Sequence, residues 1–558
     1  MVTALAQQEG VVDHARLAHH AELAGLDAEA CRYATLAATE AGRVGALREM
    51  GLQTERALRL GTGLGSGERF ELLVQYSRCS NFASTRMEDA VEPAREAIAL
   101  AIEMRDPVRQ GRAEVVLAAA LWSLDRVLEA RAAAGRAIAV LEPTSDIPTL
   151  ASAYSTHIRV EATAFDPAAA IASGPRALEF AASAGLEDIR LDIAISVGLA
   201  RGHRGEPEGL AMLTDACRAA REAGLVIQTV RTYVNLVFVG ATLRRHAFVD
   251  AMAREAWALF DEYQTTIPGY AIQIFRARSL LDRGCWDEAV AIAARPDFNW
   301  AAEAPLAGVI TGLIAARRGE RDGAQLLERA WEEIEHVPES SRHGTVHVAR
   351  VEAAWLTGDC VSALRCVYRA RESPATQRFA RSAGELALWA SRCGLQIPVP
   401  QNAPAPVLLE LAGDWRGAIC AWKELEAPYE AALAALPGDD RAARDALSAL
   451  GRLGADGAAR AFVRERAAAG ARPLRGPRRS TLANAAGLTR REQEVLGQLA
   501  TGATNGAIAA ALHVSERTVA HHVSAILNKL DAPTRTAAVE SARSAGLLAQ
   551  DGQARGPT

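Results

Sequence analysis

Residues Leu488 to Leu548 read LTRREQEVLGQLATGATNGAIAAALHVSERTVAHHVSAILNKLDAPTRTAAVESARSAGLL, and local chemistry alone places four helices in them. Thr489-Arg490-Arg491-Glu492 has the spacing of a capping box, in which the Thr hydroxyl takes the third amide and the Glu reaches back to the cap. An apolar stripe at Val495, Leu496 and Leu499 carries the first helix to about Thr501, where Gly502 stops it. Thr504 caps a short second helix with Ile508, Ala509 and Leu512 on its inner face. Ser515 caps a third, whose buried stripe is Val519, Val523, Ile526, Leu527 and Leu530. Pro533 ends that region, and Thr534 caps a fourth helix through Val539 and Ala542.

The second and third helices have helix-turn-helix spacing. Ala509 is small where the two must approach, and His513 falls where the turn needs a left-handed residue, which His tolerates better than most. The outer face of the third helix carries Ser515, Arg517, Thr518, Ala520, His521, Ser524 and Asn528, side chains that can enter a major groove. Arg490, Thr504, Asn505, Lys529 and Arg535 are the expected phosphate contacts, which set register without reading sequence. His521 and His522 are adjacent and do not share a helix face, so no metal site is expected from them.

On these residues the stretch resembles the C-terminal module of LuxR-type transcription regulators. The matching motifs are T-x-R-E-x-E-V-L (Thr489 to Leu496), Gly502, N-x-x-I-A (Asn505 to Ala509), V-S-x-R-T-V (Val514 to Val519), H-V-x-x-I-L-x-K-L (His522 to Leu530) and Arg535. Many members carry Lys or Glu where this chain has Ala520, and some carry Lys where it has Ser524, so the resemblance implies the fold and not the operator.

Charge divides unevenly along the chain. Arg472 to Leu548 holds ten Arg and Lys against five Asp and Glu, a net of +5, whereas the whole chain is −5, which leaves −10 on the rest. A basic end on an acidic body confines nucleic-acid binding to one end. The eight cysteines are scattered without a C-x-x-C pair, as expected of a reducing cytoplasm, and give no zinc site. No apolar run reaches membrane-spanning length, so no membrane association is expected and the localisation expected is cytoplasmic.

Residues 1–465 read as helix after helix, and at 558 residues the chain is too long for one compact domain unless it is a solenoid. A turn of form Gly-x4-Ala recurs at Gly284/Ala289, Gly319/Ala324, Gly358/Ala363 and Gly413/Ala418, with a related turn at Gly205/Leu210. The glycines are 79, 35, 39 and 55 residues apart, near one or two helical-hairpin repeats. The expected fold is therefore all-α: a tetratricopeptide-like helical superhelix (1–465), a basic flexible linker (466–487), a four-helix LuxR-type helix-turn-helix domain (488–548) and a disordered tail (549–558). The tryptophans of the array read as core.

Several body segments resemble the helical region of the large ATP-binding LuxR-type regulators related to the maltose-regulon activator: Arg16 to Gly25, Arg283 to Ile292, Ala412 to Ala434 and the linker Arg475 to Glu492. That resemblance implies an array receiving an inducer or a protein partner. It also implies an N-terminal ATPase, but no G-x-x-x-x-G-K-[ST] occurs, and the glycine-rich Gly61 to Gly67 lacks the Lys and Ser/Thr that hold phosphate and magnesium. The expectation is a shortened member, or a chain whose true start lies upstream.

Together these readings give a sequence-specific regulator that binds double-stranded DNA as a homodimer, with an inducer or partner on the array. The alternative is an interaction scaffold with a terminal module that does not bind DNA. No catalytic constellation is present (His343 and His347 lack the Glu of a zincin), so neither an enzyme nor a bound cofactor is expected.

Overall fold

The computed structural model describes residues 13–43, 46–83, 87–164, 166–262, 267–295, 304–337, 342–471 and 488–548. All regular structure among them is helical. By internal contact the chain divides into two units, Met1–Ala316 with Arg321–Gly413, and Arg317–Glu320 with Asp414–Thr558. No helix of the described residues is long and apolar enough to cross a membrane.

The first unit is a stack of antiparallel helix pairs. Typical pairs are Pro107–Ser123 with Val127–Leu141, Ile147–Ala164 with Pro167–Ser183, Glu187–His203 with Glu208–Glu222, and Val226–Thr242 with His246–Glu262. The first helix of each pair also packs on the first helix of the next, and the stack buries a succession of apolar clusters. Alanine dominates its buried positions, which lets helix backbones approach closely.

The turns between helices share one design. At Gly185, Gly205 and Gly224 the backbone is left-handed, with φ of 67°, 75° and 67°. The amide that follows each glycine bonds back across the turn, as Leu186 N–H does to the Ala181 carbonyl at 2.9 Å, in a Schellman closure. All five glycines of the recurring turn, from Gly205 to Gly413, take this conformation. Arg105, Asp125 and Arg244 perform the same turn without glycine, at φ of 54°, 58° and 53°.

The small residue expected five positions on is confirmed at Ala289, Ala363 and Ala418, all fully buried. It is corrected at Gly319, and the related turn at Gly205 behaves alike. Ala324 is exposed and Leu210 half-buried. There the close approach falls one residue earlier, on a glycine. A Cβ at Gly209 would lie 2.5 Å from the Gly198 carbonyl oxygen, and one at Gly323 would lie 2.6 Å from the Ala316 nitrogen.

Within the first unit the chain also meets itself far along the sequence. Arg342 bonds Asp125 at 3.1 Å, and the Asn402 side-chain amide donates to the Arg204 carbonyl at 2.9 Å. Trp286 and Trp355 are buried, and Trp355 packs on Trp389 at 5.4 Å, as core residues should. Trp331 and Trp415 are half-buried, Trp257 has 47% of its surface exposed, and Trp300 lies outside the described residues. The glycine-rich stretch is a turn at Gly61 to Gly65 followed by helix Ser66–Ala83, and the Gly65 N–H is taken by the Glu68 carboxylate at 3.2 Å. His343 and His347 pack their rings on Trp331 at 5.2 and 4.3 Å.

The second unit begins with helices Trp415–Glu424, Pro428–Leu433, Asp440–Arg452 and Asp456–Ala468 around buried Trp422, Tyr429 and Phe462. The last of these corrects the expected linker start at 466. Arg466 is a buried helical residue that donates to the Leu436 and Gly438 carbonyls at 2.9 and 2.6 Å, so the helix is pinned to Ala468. The remainder of the linker, with Arg475, Arg478 and Arg479, and the tail 549–558 lie outside the described residues.

Candidate nucleic-acid interface

Residues 488–548 form four helices, numbered here within the module: α1 (Arg490–Ala500), α2 (Asn505–Ala511), α3 (Glu516–Lys529) and α4 (Arg535–Ser544). Each start is capped by the hydroxyl that local spacing predicts. Thr489 makes the full capping box with Glu492, Thr504 accepts from Ala507 N–H, Ser515 from Thr518 N–H and Thr534 from Ala537 N–H. Gly502 ends α1 at φ 80°, and His513 makes the turn between α2 and α3 at φ 53°. The core joins all four helices through Leu488, Val495, Leu496, Ile508, Val519, Ile526, Ala538 and Ala542.

Burial of Val519 and Ile526 fixes the rotation of α3 and leaves its other face to solvent. Arg517, Ala520, His521, Ser524 and Asn528 are all exposed. They are spaced i, i+3, i+4, i+7 and i+11, so they share one stripe, with Thr518 at its flank. The stripe is long-reaching at its start and small in its middle. Arg517 extends from the first turn, where a recognition helix meets base edges. Ala520 offers only a methyl. Ser524 spends its hydroxyl hydrogen on the Ala520 carbonyl at 3.0 Å, which keeps that side chain close to the helix. Ser515 caps α3, and its hydroxyl lies 2.8 Å from that of Thr518.

The expected phosphate contacts separate into three groups. Arg490 projects from the start of α1 with 88% of its side chain exposed. Thr504 is exposed at the start of α2, and beside it Asn505 accepts a hydrogen bond from Arg535 at 2.9 Å, which joins the α2 and α4 starts into one polar edge. Lys529 differs. Its ammonium lies 2.6 Å from the Glu492 carboxylate, whose side chain is only 7% exposed. A buried carboxylate attracts the nearest cation more strongly than solvent does, so Lys529 ties the end of α3 to the start of α1. Burial pushes the Glu492 carboxyl up, but Lys529 and the Thr489 N–H outweigh it and hold the group below the ordinary carboxylate range.

Two residues of this framework were not among the sequence candidates. Arg491 bonds Glu494 at 2.7 Å and donates to the Leu512 carbonyl, satisfying the end of α2. Glu492 was assigned only its cap. Neither partner could be read from spacing, because Leu512 and Lys529 lie 21 and 37 residues away.

Residues 486–542 match the model of the family described as "Bacterial regulatory proteins, luxR family". Over 51 residues the chain is 55% identical to the uncharacterized transcriptional regulatory protein YhcZ of Bacillus subtilis, covering 9% of this chain and 24% of that one. It is 52% identical over 52 residues to the transcriptional regulatory protein DegU of Brevibacillus brevis, covering 9% of this chain and 22% of that one. The chain thus spans about a quarter of the length of the curated relatives it matches. Among solved structures, it is similar to a signal-transduction ATPase with a tetratricopeptide repeat sensor from Pyrococcus horikoshii. There the identity is 14%, over 67% of this chain and 51% of that one, at a TM-score of 0.35. A circular tandem repeat protein aligns over 81% of this chain and 88% of its own, at 16% identity and a TM-score of 0.14. Scores this low carry no argument about the array.

Proposed function

We propose, on the premise that the C-terminal segment is a luxR-family helix-turn-helix domain, that the whole chain is a cytoplasmic, sequence-specific transcription regulator. The observation that carries this reading is the exposed stripe Arg517, Ala520, His521, Ser524 and Asn528 on a helix whose opposite face is locked into a four-helix core. In this reading α3 lies in the major groove of double-stranded DNA. Arg517, His521 and Asn528 face base edges. Arg490, Thr504 and the Asn505–Arg535 pair meet phosphates. One such helix spans only a few base pairs, so two copies on a two-fold operator are expected. The acidic helical array receives a ligand or protein partner, in the manner of a shortened relative of the large ATP-binding LuxR-type regulators.

The test is selection of the full chain against a randomised duplex library at near-physiological salt. Recovery of a two-fold motif, with binding to it weakened about 5- to 150-fold by Arg517→Ala (~1–3 kcal/mol) at unchanged helix content, is the expected result. Featureless recovery that Arg517→Ala does not alter would sink the reading.

A further inference from the structure

Consecutive residues at the start of α1 hold the two ends of α3. At the exit, Lys529 closes α3 onto the Glu492 carboxylate at 2.6 Å. At the entry the tie is Arg491. Its guanidinium donates to the carbonyl of Leu512, the residue that caps the end of α2. Leu512 stands three residues before Ser515, the cap of α3, and the chain between them turns at left-handed His513. The last carbonyls of a helix have no partner inside it, so an outside donor decides how firmly that end is held.

Arginine suits this position because its planar fork can meet two acceptors at a fixed angle. One arm takes the Leu512 carbonyl, and the other donates to Glu494 on α1 at 2.7 Å. Glu494 also accepts from Arg490 at 3.3 Å. The two arginines are otherwise unlike. Arg490 is 88% exposed and can swing to a phosphate, whereas Arg491 is 34% exposed and would have to abandon both its acceptors to do so. Without Arg491 the turn still has the Val514 N–H bond to the Ala509 carbonyl at 3.0 Å, and α3 still has buried Val519 and Ile526. The module can therefore fold without this tie, but the angle at which α3 leaves the turn is then less fixed.

We propose that Arg491 is a positioning residue for sequence readout. It touches no DNA. Acting through the Leu512 carbonyl, it sets the entry angle of α3, so that Arg517 and His521 meet base edges while Arg490 meets a phosphate. Binding to an operator draws on this order, because an end that is not held in advance must be ordered on binding. Binding to an arbitrary duplex rests on phosphate charge and does not need it. This rests on the reading that α3 lies in the major groove, and names the residue that carries register from backbone to bases.

The experiment titrates the full chain with two duplexes, the operator it selects and a scrambled duplex of the same composition, each at several salt concentrations. Arg491→Met should bind the operator about tenfold more weakly, the scale of one hydrogen bond to a charged group. Its affinity for the scrambled duplex should stay within about twofold of the parent, with the salt dependence unchanged. Arg490→Met should do the opposite, weakening both duplexes alike and lowering the salt slope by about one. Arg491→Lys keeps the charge but not the fork, so its operator preference should fall between those of the parent and Arg491→Met. A parental ratio of operator to scrambled affinity in Arg491→Met, at parental helix content, overturns the proposal, and a lowered melting temperature alone would then mark Arg491 as structural. Equal weakening on both duplexes with a smaller salt slope also overturns it, by making Arg491 a phosphate contact. If Arg491→Met loses helix content, Arg491→Lys is read in its place, and a parental ratio there overturns the proposal. Failure of the DNA reading looks different: the parent chain itself then prefers no duplex, and the proposal falls with it.

Discussion

The tie between Lys529 and Glu492 is open to a quantitative test. One Glu492 oxygen accepts both the Lys529 ammonium and the Thr489 N–H, each at 2.6 Å. Lys529→Met leaves a buried carboxylate holding one backbone donor. Breaking a fully buried pair costs about 3–5 kcal/mol, but the Lys529 side chain is 33% exposed and water can replace part of it, so the expected loss is about 1–2 kcal/mol. A module of this size holds about 3–9 kcal/mol in all, so the loss is large. Glu492→Gln leaves no buried charge and frees Lys529 toward solvent, which should cost about 1 kcal/mol or less. The double variant should then be more stable than Lys529→Met alone. Hydrogen exchange on the full chain reads this directly: amides of Val495, Leu496 and Ile526 should exchange about tenfold faster in Lys529→Met, at ~1.4 kcal/mol per tenfold.

The pH dependence follows from the same contacts. The folded Glu492 carboxyl is lowered relative to the unfolded chain. Its contribution is therefore complete above the ordinary carboxylate value of about 4.3 and is lost as pH falls through the lowered value. In Lys529→Met burial dominates, the carboxyl rises, and acid should stabilise the module instead. Exchange at the parental rate in Lys529→Met, or the same acid response in both proteins, would refute the reasoning.

Three further outcomes are expected. If Ala520 meets a thymine methyl, replacing the facing thymine by uracil in the selected operator should weaken binding about fourfold, from ~0.8 kcal/mol for one buried methyl(ene), and a uracil scan locates the position. His513→Gly should stabilise the module by about 0.5–1 kcal/mol by removing left-handed strain, and His513→Val should destabilise it by about 1 kcal/mol or more, both read by exchange at α2 and α3. Gly209→Ala should cost the array about 1–3 kcal/mol, because the new Cβ meets backbone at 2.5 Å and neither neighbour can turn aside, and a lowered melting temperature shows it.

The helix-turn-helix module was legible because its determinants are local. Thr489, Thr504, Ser515 and Thr534 each cap an amide three residues away, and Val519 and Ile526 decide which face of α3 is left for DNA. Lys529 was read outward because exposed lysines usually are, and nothing near it in sequence announces a buried carboxylate. In the array, glycine revealed five turns. The turns at Arg105, Asp125 and Arg244 carry no such mark, and only geometry shows that turns fall about every twenty residues from Gly185 to Arg244.

The bonds from Arg342 to Asp125 and from Asn402 to Arg204 change what kind of polymer the array is. An open solenoid is coupled only between adjacent repeats, so it can fray from an end and tolerates the loss of a repeat. Here residues 217 and 198 positions apart are joined. Excising one helix pair between them would pull both joints out of register. Stability in this part of the chain is therefore coupled beyond adjacent repeats, and its unfolding should be more cooperative than that of an open array.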